Sequence, residues 1–204
     1  METKLLQVND LQHDIEAIRT VSAVLQQGGV AAIPTETVYG LAVRLDNEPA
    51  ILKLLTLKDR PIDSGKILTL MVPSVRDIPR YARIDRRRMA IANRYFPGEL
   101  TLILEKNPDF EHVYFNNFGT IGIRIPANDY MLSLLRETGP LLVTSANPRG
   151  EAPCRSSREV QDRIKSIDGI VRGKSGGSLP STIIDWTLDE PRQIRAGGLL
   201  IVHF

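Results

Sequence analysis

The chain has a single cysteine, Cys154, among 204 residues, which excludes an internal disulfide and agrees with a reducing compartment. Its three histidines, at 13, 112 and 203, lack the close paired spacing of a zinc site. No segment reaches the roughly 18 consecutive apolar residues that a membrane span needs. Met1-Glu2-Thr3-Lys4 has no apolar signal core behind it. These absences lead to the expectation of a soluble, cytoplasmic protein that does not enter a membrane. Strong charge of one sign is missing as well: the formal net charge is +2 and the pI about 8.8, so a nucleic acid would have to be held by a local patch. Gly173-Lys174-Ser175-Gly176-Gly177-Ser178 is glycine-rich but not a Walker loop, and no Gly-x-Gly-x-x-Gly follows a strand.

What is present is a core-forming chain. Hydrophobic residues make up 42% of it, enough for a sizeable core, and the length fits one domain over residues 1–204. Asn9 or Asp10 can cap a helix carrying Leu11, Ile15, Ile18 and Leu25 on its inner face, which Gly28-Gly29 ends. The run Val30-Ala31-Ala32-Ile33 reads as a buried strand stopped by Pro34. Thr35, Glu36, Thr37 and Tyr39 then supply hydroxyls and a carboxylate, and Gly40 leaves room for a ligand or a second backbone. Ligands in open α/β sheets sit beyond the carboxyl ends of strands. This stretch is therefore a candidate binding turn, although a polar turn between two strands fits the same residues.

Asp46-Asn47-Glu48-Pro49 offers a cap and a first-turn proline to a second helix with Ile51, Leu52 and Leu55 inward. At its end Lys58-Asp59-Arg60-Pro61 and Ser64-Gly65-Lys66 precede a strand over 67–72. Two cations before a glycine turn suit the oxygens of a polyphosphate, and they equally suit the negative end of a helix dipole. Seven arginines fall between positions 76 and 94, interspersed with Ile78, Tyr81, Ile84, Met89 and Ile91. The spacing predicts a solvated amphipathic face, with RNA backbone contact as the alternative.

Phe96-Pro97-Gly98 turns into a strand over 100–104, 107–119 reads as a loop, and 120–126 alternates as a strand. Arg124 within that strand needs an anion or carbonyls around it, either a ligand carboxylate or a structural ion pair. A helix over 128–138 turns Met131, Leu134 and Leu135 inward. The strand over 141–144 ends in Ser145-Ala146-Asn147, small polar groups that can pack on a nucleotide or cap a turn. Arg155 precedes a helix through Val160 and Ile164, strands follow near 169–171 and over 181–185, and Arg195 lies at a last strand end.

Pro34-Thr35-Glu36-Thr37-Val38-Tyr39-Gly40-Leu41, Lys58-Asp59-Arg60-Pro61, Phe96-Pro97-Gly98, Gly122-Ile123-Arg124-Ile125-Pro126, Thr144-Ser145-Ala146-Asn147, Ser181-Thr182-Ile183-Ile184-Asp185 and Ile194-Arg195-Ala196-Gly197, taken in that order, resemble the YrdC/TsaC family over nearly the whole chain. The resemblance implies an α/β fold with a twisted, largely mixed sheet flanked by helices around a basic concave cleft. It implies an L-threonylcarbamoyladenylate synthase, a nucleotidyltransferase that makes threonylcarbamoyl-AMP and pyrophosphate from L-threonine, bicarbonate and ATP, with Mg2+ accompanying the ATP. The product would serve N6-threonylcarbamoylation of tRNA position 37, with transfer machinery of the TsaD, TsaB and TsaE type as partners and a contact with tRNA.

Carried over by position, the resemblance implies that Lys58 and Arg60 hold the ATP phosphates and that Ser145 and Asn147 complete a catalytic quartet. Thr35, Arg124 and Ser181 would hold threonine, Arg124 through the carboxylate, and Arg155 and Arg195 would line the nucleotide side. The chemistry requires no covalent nucleophile, so neither Cys154 nor a histidine is expected to be catalytic. Glu36 is expected to be a structural or Mg2+-side carboxylate. Longer members carry Asn-Pro-Leu and a strand histidine where this chain has Ser64-Gly65-Lys66 and Thr69. Nothing follows Phe204 where they carry an accessory domain, which implies the single-domain class. The chain also resembles the YciO-like paralogue in its length, in Thr69-Leu70-Met71 and in Thr120-Ile121-Gly122-Ile123-Arg124. An RNA-binding module without ATP chemistry is the alternative of a different class.

Overall fold

The structure is a computed structural model and describes residues 4–6, 15–61, 65 and 67–201. The expected cap at Asn9 or Asp10, Leu11, His13, Ser64, Lys66 and His203 lie outside the described residues. Among the described residues ten strands form one sheet: β1 (Lys4–Leu6), β2 (Ala31–Ile33), β3 (Gly40–Arg44), β4 (Thr69–Met71), β5 (Leu100–Glu105), β6 (Thr120–Arg124), β7 (Leu141–Ser145), β8 (Gly169–Val171), β9 (Thr182–Asp185) and β10 (Arg192–Arg195). Their order across the sheet is β1-β8-β2-β3-β7-β4-β6-β5-β9-β10. Four pairs are parallel (β1 with β8, β8 with β2, β4 with β6, β5 with β9) and the other five antiparallel. The sheet is mixed and twisted, as the family resemblance implies.

The helices are α1 (Ile15–Gln26), α2 (Glu48–Leu57), α3 (Ile78–Tyr81), α4 (Arg86–Tyr95), α5 (Asp129–Thr138) and α6 (Ser157–Arg163). Four begin at side-chain caps, the first in the stretch where the sequence offers one: Asn47 accepts from the Ala50 amide at 3.0 Å, Asp85 from Arg88 at 2.7 Å, Asn128 from Met131 at 2.9 Å and Ser156 from Glu159 at 3.2 Å. Each such cap contributes about 1 kcal/mol.

Because side chains alternate across a strand, each strand feeds two faces. On one face Leu70, Leu100, Leu102, Leu104, Ile121, Ile123, Leu142 and Ile184 join the buried residues of α2, α3, α4 and α6 in one core. On the other, α1 and α5 pack Val21, Leu25, Met131, Leu134 and Leu135 against Ala31, Ile33, Ala42, Val143 and Val171. This second core covers β8, β2, β3 and β7 and stops near β4.

Some helix faces differ from the periodic reading. Ile15 is 64% exposed and Leu52 50% exposed. The buried ridge of α1 runs through Ala17, Val21 and Leu25, four residues apart, and Ile15 lies about 200° around the helix from Ala17. In α2 the buried set is Ala50, Ile51, Leu54 and Leu55, and Leu52 points away from it for the same reason. The expected strand over 67–72 shortens to β4. Residues 107–119 are more than a loop, since Tyr114 and Phe115 are buried within them and the Tyr114 hydroxyl accepts from the Leu68 amide at 2.8 Å. The arginine-rich segment divides into α3 and α4 instead of forming one continuous face.

Candidate functional site

Where α1 and α5 stop, the same sheet face continues uncovered across β4, β6, β5 and β9 and forms a cavity of about 720 Å3. That size falls in the roughly 300–1,000 Å3 range of ligand pockets. Thr69 and Met71, Thr120, Gly122 and Arg124, Thr101 and Ile103, and Ile183 and Asp185 form its floor, each set two residues apart on its strand. Threonine and glycine stand among these positions, where the covered half of the face carries alanine, isoleucine, leucine and valine. The turn after β2, Arg60, Ser145, Ser181 and Arg195 form the walls. The expectation of a site beyond a carboxyl-terminal edge changes here: β7 runs antiparallel to both β3 and β4, so no common carboxyl edge exists and the site occupies a face.

Glu36 follows β2, yet its Oε1 accepts from Arg124 Nη2 on β6 at 2.8 Å. Three strands (β3, β7 and β4) separate these in the sheet, so the turn lies across the face. Arg124 Nη2 also donates to Thr37 Oγ1 at 3.0 Å, and the Ala127 amide donates to the same Glu36 Oε1 at 2.8 Å. The Arg124 side chain is 6% exposed and that of Glu36 14%. The sequence left two readings of Arg124 open; the buried ion pair with Glu36 is present, and Arg124 lines the cavity as well. Of the two roles expected for Glu36, the structural one is what these distances show. Thr35 also lines the cavity, with its hydroxyl donating to the Val38 carbonyl at 2.7 Å and accepting from the Thr37 amide at 3.1 Å.

At the β7 end of the cavity, Lys58 Nζ donates to Ser145 O at 3.0 Å, to Asn147 Oδ1 at 3.1 Å and to Asn147 O. Ser145 Oγ donates to Asn147 Oδ1 at 2.6 Å, and Asn147 Nδ2 donates to Pro148 O and Glu151 O. Lys58 thus meets Ser145 and Asn147, 87 and 89 residues away in sequence. Burial, reinforced by the Arg60 charge, pushes the Lys58 ammonium down to about 8. Arg60 reaches the cavity wall itself, and burial holds its guanidinium below the ordinary arginine value, with Arg149 acting in the same direction.

Arg195 closes the far wall. Its Nε and Nη2 donate to Ser181 O at 3.0 and 2.8 Å, and Nη2 donates to Ser181 Oγ at 3.1 Å. Ser181 Oγ lies 2.8 Å from Thr101 Oγ1. Gly197 makes this approach feasible, because a Cβ there would stand 2.2 Å from Pro180 O. Burial, then the neighbouring Arg124 charge, lowers the Arg195 pKa. Arg155 is exposed and lies outside the cavity lining. Its carbonyl accepts from the Ser175 amide at 2.8 Å, next to the glycines that pack on the turn. Cys154 is fully buried, and burial raises its thiol pKa.

Thr37 lies in the candidate binding turn and lines the cavity, while Thr69, Thr101, Thr120, Gly122 and Asp185 were not assigned to a site by sequence reasoning. Their signal was a polar or small residue at alternate positions of otherwise apolar strands. Among the described residues Asp185 is the one carboxylate lining the cavity, and no group of three or more His, Cys, Asp or Glu is placed to hold a metal ion. The donor set is cationic and hydroxylic, which suits an anionic ligand. No helix among the described residues is long and apolar enough to cross a membrane.

A family model described as telomere recombination, covering Sua5, YciO and YrdC, matches residues 23–197. A threonylcarbamoyl-AMP synthase of Klebsiella pneumoniae subsp. pneumoniae is 33% identical over 177 residues, spanning 83% of this chain and 91% of that protein. The crystal structure of P. abyssi Sua5 complexed with L-threonine matches with a TM-score of 0.85 at 28% identity, over 98% of this chain and 58% of that one. E. coli YciO matches with a TM-score of 0.84 at 26% identity, over 97% of this chain and 96% of that one.

Proposed function

This chain belongs to the Sua5/YciO/YrdC family, and from that premise we propose that it is an L-threonylcarbamoyladenylate synthase. It joins L-threonine, bicarbonate and ATP into threonylcarbamoyl-AMP and pyrophosphate, as a nucleotidyltransferase. The observation that carries this reading is one 720 Å3 cavity lined by three guanidiniums, one of them ion-paired at Arg124 and two, Arg60 and Arg195, without a carboxylate partner within salt-bridge reach among the described residues. An amino-acid carboxylate and a polyphosphate together need such a set. The name of the Klebsiella relative and the threonine of the Sua5 complex support the same substrates.

In the reaction, bicarbonate releases CO2 and hydroxide. The threonine amine adds to CO2 and gives up a proton, which the hydroxide takes as water. An oxygen of the resulting N-carboxylate attacks the α-phosphorus, the bond to the bridging oxygen breaks, and pyrophosphate leaves. In this reading Arg124 grips the threonine carboxylate, with Thr35 and Ser181 beside it. Lys58 and Arg60 serve the phosphates, Lys58 by fixing the Ser145–Asn147 strand end, while Arg195 and, from outside the cavity lining, Arg155 serve the nucleotide. Positioning two anions and offsetting charge on the phosphate oxygens is the catalytic task. The single lining carboxylate, Asp185, fits Mg2+ only as an ion carried in on ATP and held by its phosphates. Bound there, it neutralises phosphate charge.

Pyrophosphate release from purified protein should require ATP, bicarbonate and L-threonine together, and threonine-independent release would sink the synthase reading. That outcome would favour a YciO-like protein, the reading that the E. coli YciO match keeps in play.

Contact with tRNA is a second, compatible reading. Between residues 76 and 94 the chain holds seven arginines against two aspartates, in a protein whose net charge is +2. Arg76, Arg80, Arg83, Arg86, Arg87 and Arg94 are exposed, on or beside α3 and α4, which pack against the sheet face opposite the cavity. Replacing Arg86, Arg87 and Arg94 by glutamine should weaken tRNA binding and flatten its salt dependence by about one unit of slope per lost phosphate contact. Pyrophosphate release should be unchanged. A filter-binding titration over a salt series measures this, and equal slopes would remove the patch as an RNA surface. The transfer machinery of the TsaD, TsaB and TsaE type, and a cytoplasmic location, follow from the same reading.

A further inference from the structure

The Glu36–Arg124 pair is only half made as a fork. Glu36 Oε1 accepts from Arg124 Nη2 and from the Ala127 amide, both at 2.8 Å. Glu36 Oε2 and Arg124 Nε are both buried without a hydrogen-bond partner. Arg124 lines the cavity and Glu36 does not, so the carboxylate stands behind the guanidinium and turns it toward the site. The backbone of Glu36 is gripped in its turn. The Gly176 amide donates to Thr35 O at 2.9 Å and the Gly177 amide to Thr37 O at 3.0 Å. A Cβ on either glycine would come within 2.9 Å of Glu36 O, so the glycines permit a contact that a side chain would prevent. The same segment continues to Pro180 and Ser181 in the cavity wall, where Arg195 is anchored.

We infer that Glu36 is a positioning residue for Arg124, held in place by the Gly176–Gly177 segment, and that it sets how tightly the site takes the substrate carboxylate. This rests on the synthase reading for the identity of that carboxylate. A charge-assisted hydrogen bond that fixes the angle of a planar fork governs bidentate capture of an anion. Removing Glu36 leaves the charge of Arg124 in the cavity but frees its plane. If charge alone mattered, that removal would strengthen binding of an anion; if orientation matters, it weakens binding.

The test uses the full chain and steady-state kinetics. Glu36→Ala is expected to raise the KM for L-threonine about tenfold or more while the KM for ATP stays within about twofold. Glu36→Gln keeps an acceptor for Nη2 and for the Ala127 amide, and should recover most of the loss. An unchanged or lowered threonine KM in Glu36→Ala, or equal rises for both substrates, would overturn the inference. If Glu36→Ala does not fold, Glu36→Asp serves instead, since its shorter reach cannot meet both partners and should give the same threonine-selective rise. The wild-type protein is assayed first. If it shows no threonine-dependent release, the synthase reading fails. The positioning role is then read from the Arg124 Nε–H signal in the nuclear magnetic resonance spectrum, which should move or broaden in Glu36→Ala and return toward the wild-type position in Glu36→Gln; a signal unmoved in Glu36→Ala would contradict it.

Discussion

Replacing Arg124 by lysine should raise the KM for L-threonine about 10- to 100-fold, because a bidentate charged hydrogen bond to a carboxylate is worth roughly 1.5–3 kcal/mol and an ammonium cannot reproduce it. Lysine is the better first substitution. Arg124→Ala would leave Glu36 as a buried carboxylate without its counter-charge, and breaking such a pair by removing one partner costs about 3–5 kcal/mol of stability. Loss of activity in the alanine variant would then mix binding with folding. The lysine variant keeps the charge next to Glu36 Oε1, so its thermal midpoint should remain close to wild type while threonine capture fails. Initial-rate measurements with threonine and ATP varied in turn check this. A threonine KM within error of wild type would remove Arg124 from the carboxylate contact.

The second large effect belongs to Lys58. Its Nζ meets three oxygens of Ser145 and Asn147, and a neutral amine, with two hydrogens, can serve only two of them. Lys58→Met removes this donor from all three part-buried acceptors; Asn147 Oδ1 keeps the Ser145 hydroxyl, and each backbone carbonyl left unsatisfied costs about 1–3 kcal/mol. A resulting shift of the strand end by about 1 Å is enough for a loss on the order of 100-fold in kcat.

The wild-type pH dependence follows from the same residue. Burial and the Arg60 charge outweigh the three accepting oxygens and bring the folded pKa down to about 8, below the unfolded value of about 10.4. Below pH 8 both states carry the proton. Between the two values the unfolded chain binds more protons than the folded one, so stability rises with pH in that window. Activity should move the other way: kcat falls as the ammonium that pins Ser145 and Asn147 is lost above about pH 8. Opposite trends of stability and rate, measured by denaturant titration and initial rates from pH 7 to 10 in wild type, identify Lys58. Their persistence in Lys58→Met would assign them to another group.

Local chemistry carried most of what could be read in advance. Asn47 caps a helix in the stretch that offered one, and the alternation over 120–126 and the apolar run over 141–144 mark real strands, β6 and β7. Arg60, Ser145, Arg124, Ser181 and Arg195 line one cavity, while Lys58 and Asn147 stand outside its lining and meet it through Ser145. The sequence could not show which half of a sheet face lacks a helix. That depends on β7 lying between β3 and β4 and on β8 lying between β1 and β2, pairings between residues more than 60 positions apart that no local pattern encodes. For the same reason Thr69, Thr101 and Thr120 looked like ordinary strand threonines. Glu36 gave no sign of its partner, because Arg124 is 88 residues away. Ile15 and Leu52 misled in the other direction: both fit an apolar stripe loosely, and the packed ridge lies to one side of each.

The central claim is that one cavity joins threonine, a bicarbonate-derived carbon and AMP. Mass analysis of the product formed from ATP, L-threonine and 13C-bicarbonate tests it most directly. The account predicts a single adenylate that contains threonine and carries the 13C label, formed in step with pyrophosphate. An adenylate without the label, or AMP and pyrophosphate appearing at the same rate when threonine is withheld, would contradict it.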